Sequence, residues 1–206
     1  MARVIAYIDG FNLYFGMKAR RWQRFYWLDV QQLAQRLLKP EQTLVRTKYF
    51  TSRVSATPRD PGKSKRQSCY IEALGTLGGV DVFYGHYLRR EMQCLSCGAR
   101  WETHDEKMTD VNIAVQLLLD AFQNEYDTAL LVSGDSDLTG PIEAVRGFFP
   151  QKRVVVAFPP ERTSRRLQDV ANSYLTIGHG SLAASQLPDR VRKPDGYVLE
   201  RPTSWR

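Results

Sequence analysis

Hydrophobic and polar positions in this chain switch repeatedly between a two-residue and a three-to-four-residue period. Arg3–Asp9 is a short apolar run that stops abruptly at Asp9-Gly10 and predicts a strand. Asp29–Leu38 places Val30, Leu33, Leu37 and Leu38 at helical spacing and is closed by Pro40. Leu44–Thr51 predicts a second strand. Arg53–Gln67 is broken by Pro58, Pro61 and Gly62 and reads as a mobile basic loop running into a helix through about Leu77. Gly79–Leu88 is β-rich, and Arg100–His104 is expected to pair back with it around Cys94–Cys97. Thr109–Phe122 predicts the strongest helix, with Thr109 as N-cap and Val111, Ala114, Val115, Leu118 and Phe122 as its apolar face. A buried strand at Thr128–Ser133 leads to a helix ending near Phe148, then a strand at Arg153–Phe158 and a last helix at Ser164–Ser173. This alternation predicts an α/β fold with a mostly parallel central sheet covered on both faces and an inserted hairpin. Periodicity ends near Gly178. Residues 1–178 are therefore expected to form one domain, and 179–206 a tail lying on it or disordered.

Composition narrows the class. The 206 residues are 43% hydrophobic and 25% charged, which supplies a globular core and excludes collagen-like or coiled-coil architecture. No apolar run approaches the ~20 residues of a membrane span, so no membrane partner is expected. A strand beginning almost at Met1 argues against a signal peptide, and three cysteines make no disulfide framework. The expected location is cytoplasmic. Lys and Arg exceed Asp and Glu by 29 to 22, a net charge of +7. That balance favours a polyanionic partner such as nucleic acid, although many small basic proteins have none.

The acids are the candidate chemistry. Ligands of open parallel sheets bind beyond the carboxyl ends of the strands. Two predicted strands end in acid there, one at Asp9 and one at Ser133-Gly134-Asp135-Ser136-Asp137, while Asp110 opens the long helix. Singly, each has a plain structural role: Asp110 complements a helix N-terminus, Ser136 or Asp137 caps the next helix, and Asp9 forms a turn before Gly10. Together they are harder to explain. One cap needs one side chain, yet Asp135 and Asp137 flank a single serine. Carboxylates gathered in one crevice repel unless a cation sits among them. All-oxygen ligands without His or Cys favour Mg²⁺ or Mn²⁺ over Zn²⁺, and a metal-bound water can attack a phosphodiester. Phe11, two residues after Asp9, stands where an aspartyl-phosphate phosphatase needs its second acid, which argues against that chemistry.

Tyr7-Ile8-Asp9-Gly10-Phe11-Asn12, Glu106-Lys107-Met108-Thr109-Asp110-Val111 and Ser133-Gly134-Asp135-Ser136-Asp137 resemble, in this order, the signature segments of NYN domains, part of the PIN-like superfamily of metal-dependent nucleases. The likeness spans roughly Arg3–Ile177. It implies a PIN-like three-layer α/β sandwich and RNA phosphodiester cleavage. It also implies that Asp9, Asp110, Asp135 and Asp137 bind Mg²⁺ or Mn²⁺ and that Asn12 orients an acid, water or phosphate. Lys107 matches a lysine frequent in the family before the third acid. An RNA-binding regulatory module that keeps the acids but cleaves poorly is the alternative.

Basic residues surround these acids in sequence. Lys18, Arg20, Arg21 and Arg24 interleave with Trp22, Phe25, Tyr26 and Trp27, which suits phosphate contacts and base stacking, unless the rings are core and the arginines plain surface. Arg162, Arg165 and Arg166 follow the strand ending at Phe158 and suit a phosphate site. The expected partner is single-stranded or locally unpaired RNA, with a homodimer left open. Cys94 and Cys97 have the spacing of a zinc knuckle but lack a second pair. A structural Zn²⁺ there would need Cys69, a folded-back strand or a second subunit. His86, His104 and His179 have no spacing that supports catalysis or ligation.

Overall fold

The computed structural model describes residues 1–58, 60–93 and 96–206, with backbone alone for the strands over 86–93 and 100–107. Its centre is one six-stranded sheet built from β1 (Ala2–Asp9), β2 (Gln42–Thr51), β3 (Val80–Tyr84), β6 (Thr128–Val132), β7 (Arg153–Phe158) and β8 (Ser173–Thr176). The strand order is β3-β2-β1-β6-β7-β8, and every neighbouring pair is parallel. Between β3 and the long helix, β4 (His86–Gln93) and β5 (Arg100–Lys107) form the expected antiparallel hairpin. No helix among the described residues is long and apolar enough to cross a membrane.

Strand alternation sorts the core into two halves. Val4, Ala6, Ile8, Leu130 and Val132 face one side, against α1 (Gly10–Ala19), α2 (Val30–Arg36) and α3 (Lys63–Leu74). Ile5, Tyr7, Ala129, Leu131, Val154 and Val156 face the other, against α4 (Thr109–Phe122), α5 (Thr139–Phe148) and α6 (Arg165–Val170). Helices on both faces of a parallel sheet make the PIN-like three-layer sandwich that the sequence predicts.

Three expectations need correction. First, α4 turns the other way: Ile113, Leu117, Asp120 and Ala121 are buried, whereas Val111 is 55% and Phe122 79% exposed. The sheet-facing side is fixed by a buried polar cluster. Lys48 Nζ on β2 lies 2.7 and 2.9 Å from the Asp120 carboxylate oxygens, and the Tyr7 hydroxyl donates to the same group at 2.5 Å. Asp120 can reach both only if this face points inward. Burial and the neighbouring Asp120 carboxylate push the Tyr7 hydroxyl pKa well up, so Tyr7 stays a donor. The Thr109 side chain is not the cap either. Met108 occupies that position, and Thr109 is buried with its hydroxyl 3.4 Å from that of Ser52.

Second, the chain after 178 does lie on the domain, one of the two states expected of it, but it is more than a covering tail: it contributes to the core. It forms α7 (His179–Ala183) and a small antiparallel pair, β9 (Arg190–Arg192) and β10 (Val198–Glu200). Leu182, Leu187, Val191 and Leu199 join the first core half. Trp27 Nε1 donates to the Pro188 carbonyl at 2.8 Å. Third, the segment expected as a long basic loop becomes helical at Lys63. Gln67 reaches back to Val54 N and Ser52 O, both at 2.8 Å, and Arg66 pairs with Asp60.

Candidate active-site crevice

The strand order puts a topological switch point between β1 and β6. After β1 the chain continues toward β2 and β3, and after β6 toward β7 and β8, so the loops diverge and leave a crevice above the two carboxyl ends. Asp9 is the last residue of β1 and the N-cap of α1, its Oδ1 accepting from Asn12 N at 2.9 Å. Its other oxygen accepts from the Ser133 hydroxyl at 2.9 Å, one residue beyond β6. Ser133 Oγ in turn accepts from Asp135 N at 3.0 Å, and Asn12 Oδ1 accepts from Gly134 N at 3.0 Å. Two of these four hydrogen bonds, Ser133 to Asp9 and Gly134 to Asn12, cross between loops 124 and 122 positions apart in sequence.

Gly134 is required by close approach. A Cβ there would stand 2.7 Å from the Arg162 carbonyl oxygen, so the loop after β7 lies directly against it. That contact brings Arg162 to the crevice. On the opposite side Met108 adopts φ 78°, a left-handed turn that starts α4 and presents Asp110. Glu161, before Arg162, is likewise left-handed at φ 56°. Two side chains at the rim therefore follow backbone conformations that L-residues seldom adopt, which is common where function dictates the path.

The resulting crevice has a volume of about 200 Å³. Asp9, Asn12, Asp110 and Asp135 line it with Phe11 and Phe15 of α1, the Met108–Thr109 turn, and Arg162. Burial, then the Asp135 and Asp137 carboxylates, hold the Asp110 carboxyl above its ordinary pKa. Asp137 is exposed at the rim, while Asp135 caps the short 3₁₀ turn that follows, accepting from Asp137 N at 3.0 Å. The oxygen-only donor set suits a hard divalent cation. Among the described residues, however, no three His, Cys, Asp or Glu side chains stand close enough to enclose an ion as they are. A bound cation would have to draw the carboxylates together.

The basic residues divide. Arg162 is in the crevice. Arg20 pairs with Glu161 at 2.5 Å, and Lys18 Nζ lies 5.8 Å from the Phe15 ring centroid. Arg21, Trp22 and Arg24 line a separate shallow cleft with Ser204 and Arg206. Phe25 and Trp27 are buried, so packing rather than base stacking explains those two rings, whereas Tyr26, also mostly buried, borders a cavity behind α1. Arg165 pairs with Asp169 one turn along α6, and both Arg165 and Arg166 are exposed outside the crevice lining. The Lys107 side chain and Cys94 lie outside the described residues. Cys97 is an exposed free thiol, whereas Cys69 is half-buried with its sulfur toward the Glu200 carbonyl at 3.5 Å. Sequence reasoning gave no role to Ser133 or Phe15. The bridging of Ser133 has no local signal, because it depends on β1 pairing with β6.

Behind α1 lies a second cavity of about 300 Å³. Seven aromatic side chains border it, and it shares Phe11 and Phe15 with the crevice.

A protein of unknown function from Vibrio parahaemolyticus, VPA0982, has a similar fold, with a TM-score of 0.54 and 22% identity over 86% of this chain and 94% of that one. The 6-hydroxy-3-succinoylpyridine 3-monooxygenase HspA of Pseudomonas putida is 27% identical over 98% of this chain and 75% of its own length. The NYN domain family model matches residues 3–178, which contain every carboxylate of the crevice. By that match the chain belongs to the NYN domain family.

Proposed function

We propose that this NYN domain is a divalent-metal-dependent ribonuclease that hydrolyses single-stranded or locally unpaired RNA. The observation that carries the reading is that Asp9, Asp110 and Asp135 line one crevice at the switch point, with Asp110 held above its ordinary pKa by burial and by its acidic neighbours. Such repulsion is relieved by a cation, and a structural cap would not need it. Asp9, Asp110 and Asp135 would hold Mg²⁺ or Mn²⁺, with Asp137 at the rim. Bound there, the metal supplies an activated water and charge stabilisation at the phosphate.

The chain's own groups prepare the site. Ser133 and the Asn12 backbone fix the two oxygens of Asp9, so this carboxylate keeps its orientation without a ligand. Asn12 pins the Gly134 backbone and thereby sets the position of Asp135. Arg162 offers a planar cation to a phosphate oxygen at the crevice wall. Hydrolysis needs no covalent enzyme intermediate.

The test is incubation with mixed RNA, with and without Mn²⁺, with product ends mapped. Metal-dependent cleavage that Asp135→Asn abolishes supports the reading. Binding of intact RNA without cleavage supports the regulatory module instead. A second reading, oxidation of a heteroaromatic acid of the kind the HspA name describes, is favoured by the ring-lined cavity beside the acids. It predicts that, given a two-electron reductant, such an acid is consumed together with oxygen, one oxygen atom entering the product and the other leaving as water, while RNA stays intact.

A further inference from the structure

We propose that the ring-lined cavity behind α1 receives one unpaired base of the substrate strand, next to the phosphate held at the acids. This rests on the ribonuclease reading and adds a base subsite to it. The first argument is placement. Phe11 and Phe15 border both the crevice and the cavity, stacked with centroids 6.2 Å apart and planes 25° apart. Phe15 is 41% exposed. A strand leaving the crevice on this side therefore crosses two aromatic faces before it reaches the cavity.

The second argument is the lining. Tyr14 and Tyr26 have centroids 4.8 Å apart, Tyr26 and Trp205 5.7 Å, and Tyr70 and Trp205 6.1 Å. Close-packed interiors leave few voids larger than a water, so an opening of about 300 Å³ bordered by these rings is a recess with room for a flat apolar group. Its volume lies at the lower end of small-ligand sites, which suits one base and excludes a base pair.

The third argument is charge at the mouth. Lys63 and Arg66, both in the first turn of α3, line the same cavity. Asp60 engages Arg66, and Lys63 stands beside that pair with a cation for the backbone that accompanies the base. Hydrogen bonding then sets the selectivity. The Gln67 amide is already bonded to Val54 N and Ser52 O, and the Tyr70 hydroxyl donates to the Leu28 carbonyl at 2.9 Å. Tyr14 and Tyr26 interact through their own hydroxyls. Recognition is thus by stacking, and purines and pyrimidines should both be accepted.

The experiment measures binding in chelator, where no cleavage intervenes. Short RNAs carrying one abasic ribose at successive positions are titrated by fluorescence anisotropy into the full chain and into Trp205→Ala and Tyr14→Leu. Stacking of one base predicts a loss of about ten-fold at a single position. It also predicts that this loss shrinks in both variants, whose folding is checked by their melting. An abasic penalty that is absent, or unchanged in folded variants, overturns the proposal. So does saturation of the cavity by a pyridine carboxylate that does not compete with RNA. A positional penalty without cleavage in Mn²⁺ would sink the ribonuclease and keep the pocket. Cleavage without the penalty would do the reverse, and RNA that does not bind would remove both.

Discussion

Replacing Ser133 with alanine tests whether the two acid-bearing loops are held by one buried hydroxyl. Ser133 is fully buried; it donates to Asp9 Oδ2 at 2.9 Å and accepts from Asp135 N at 3.0 Å. A hydrogen bond to a charged group is worth about 1.5–3 kcal/mol and a neutral one about 1 kcal/mol, so losing both should cost roughly 2–4 kcal/mol. In a chain of 206 residues each kcal/mol moves the melting temperature by about 2–4 °C, which gives a fall of roughly 5–15 °C. The assay is thermal unfolding in chelator, with Ser136→Ala from the same loop as control. Combining Ser133→Ala with Asp9→Asn should cost clearly less than the sum of the two, because both remove one shared bond. Activity in Mn²⁺ should fall further than stability explains, since Asp9 and Asp135 lose their common anchor. A Ser133→Ala melting point within about 2 °C of wild type, or strict additivity with Asp9→Asn, would refute the clamp.

Other expectations follow from the same geometry. In chelator, Asp110→Asn should raise the melting temperature at neutral pH, because burial and then the Asp135 and Asp137 carboxylates disfavour the charged form of Asp110 in the fold. The folded state binds this proton more tightly than the unfolded chain. The gain should therefore be complete above the raised pKa and fade as pH falls into the ordinary carboxylate range, and a lower melting temperature at neutral pH would contradict it. Wild type should gain melting temperature on adding Mn²⁺, and Asp135→Asn should lose most of that gain; equal shifts would argue against these ligands. Arg162→Ala should weaken RNA binding and flatten its salt dependence by about one unit of slope, whereas Arg165→Ala should change little. The buried Lys48–Asp120 pair predicts that Lys48→Met costs about 3–5 kcal/mol and Lys48→Met with Asp120→Leu much less, read by denaturant unfolding.

The parallel sheet and the gathering of Asp9, Asp110 and Asp135 were legible because strand ends and helix starts are local signals. The α4 face was not. Its apolar residues cover two sides of the helix, and the choice between them is made by Asp120 meeting Lys48 and Tyr7 from strands far away in sequence. Trp27 could be read either as core or as a base-stacking ring, because arginines interleave with the rings of its segment. Its burial depends on Pro188, 161 positions later. The same reason hid the core residues after 178, where short turns of helix and strand have too few positions to show a period.

That late segment has a consequence for what counts as the inherited unit. The family signature stops at 178, yet the last 28 residues carry Leu182, Leu187, Val191 and Leu199 into the first core half and bring Trp205 against Tyr26 and Tyr70. A chain cut at the signature boundary would strip water-excluding cover from Trp27 and Leu28. Selection on the acids alone would not preserve that cover. Within that segment Trp205 alone lines the aromatic cavity, so a change there alters one wall of the cavity and leaves the acids untouched.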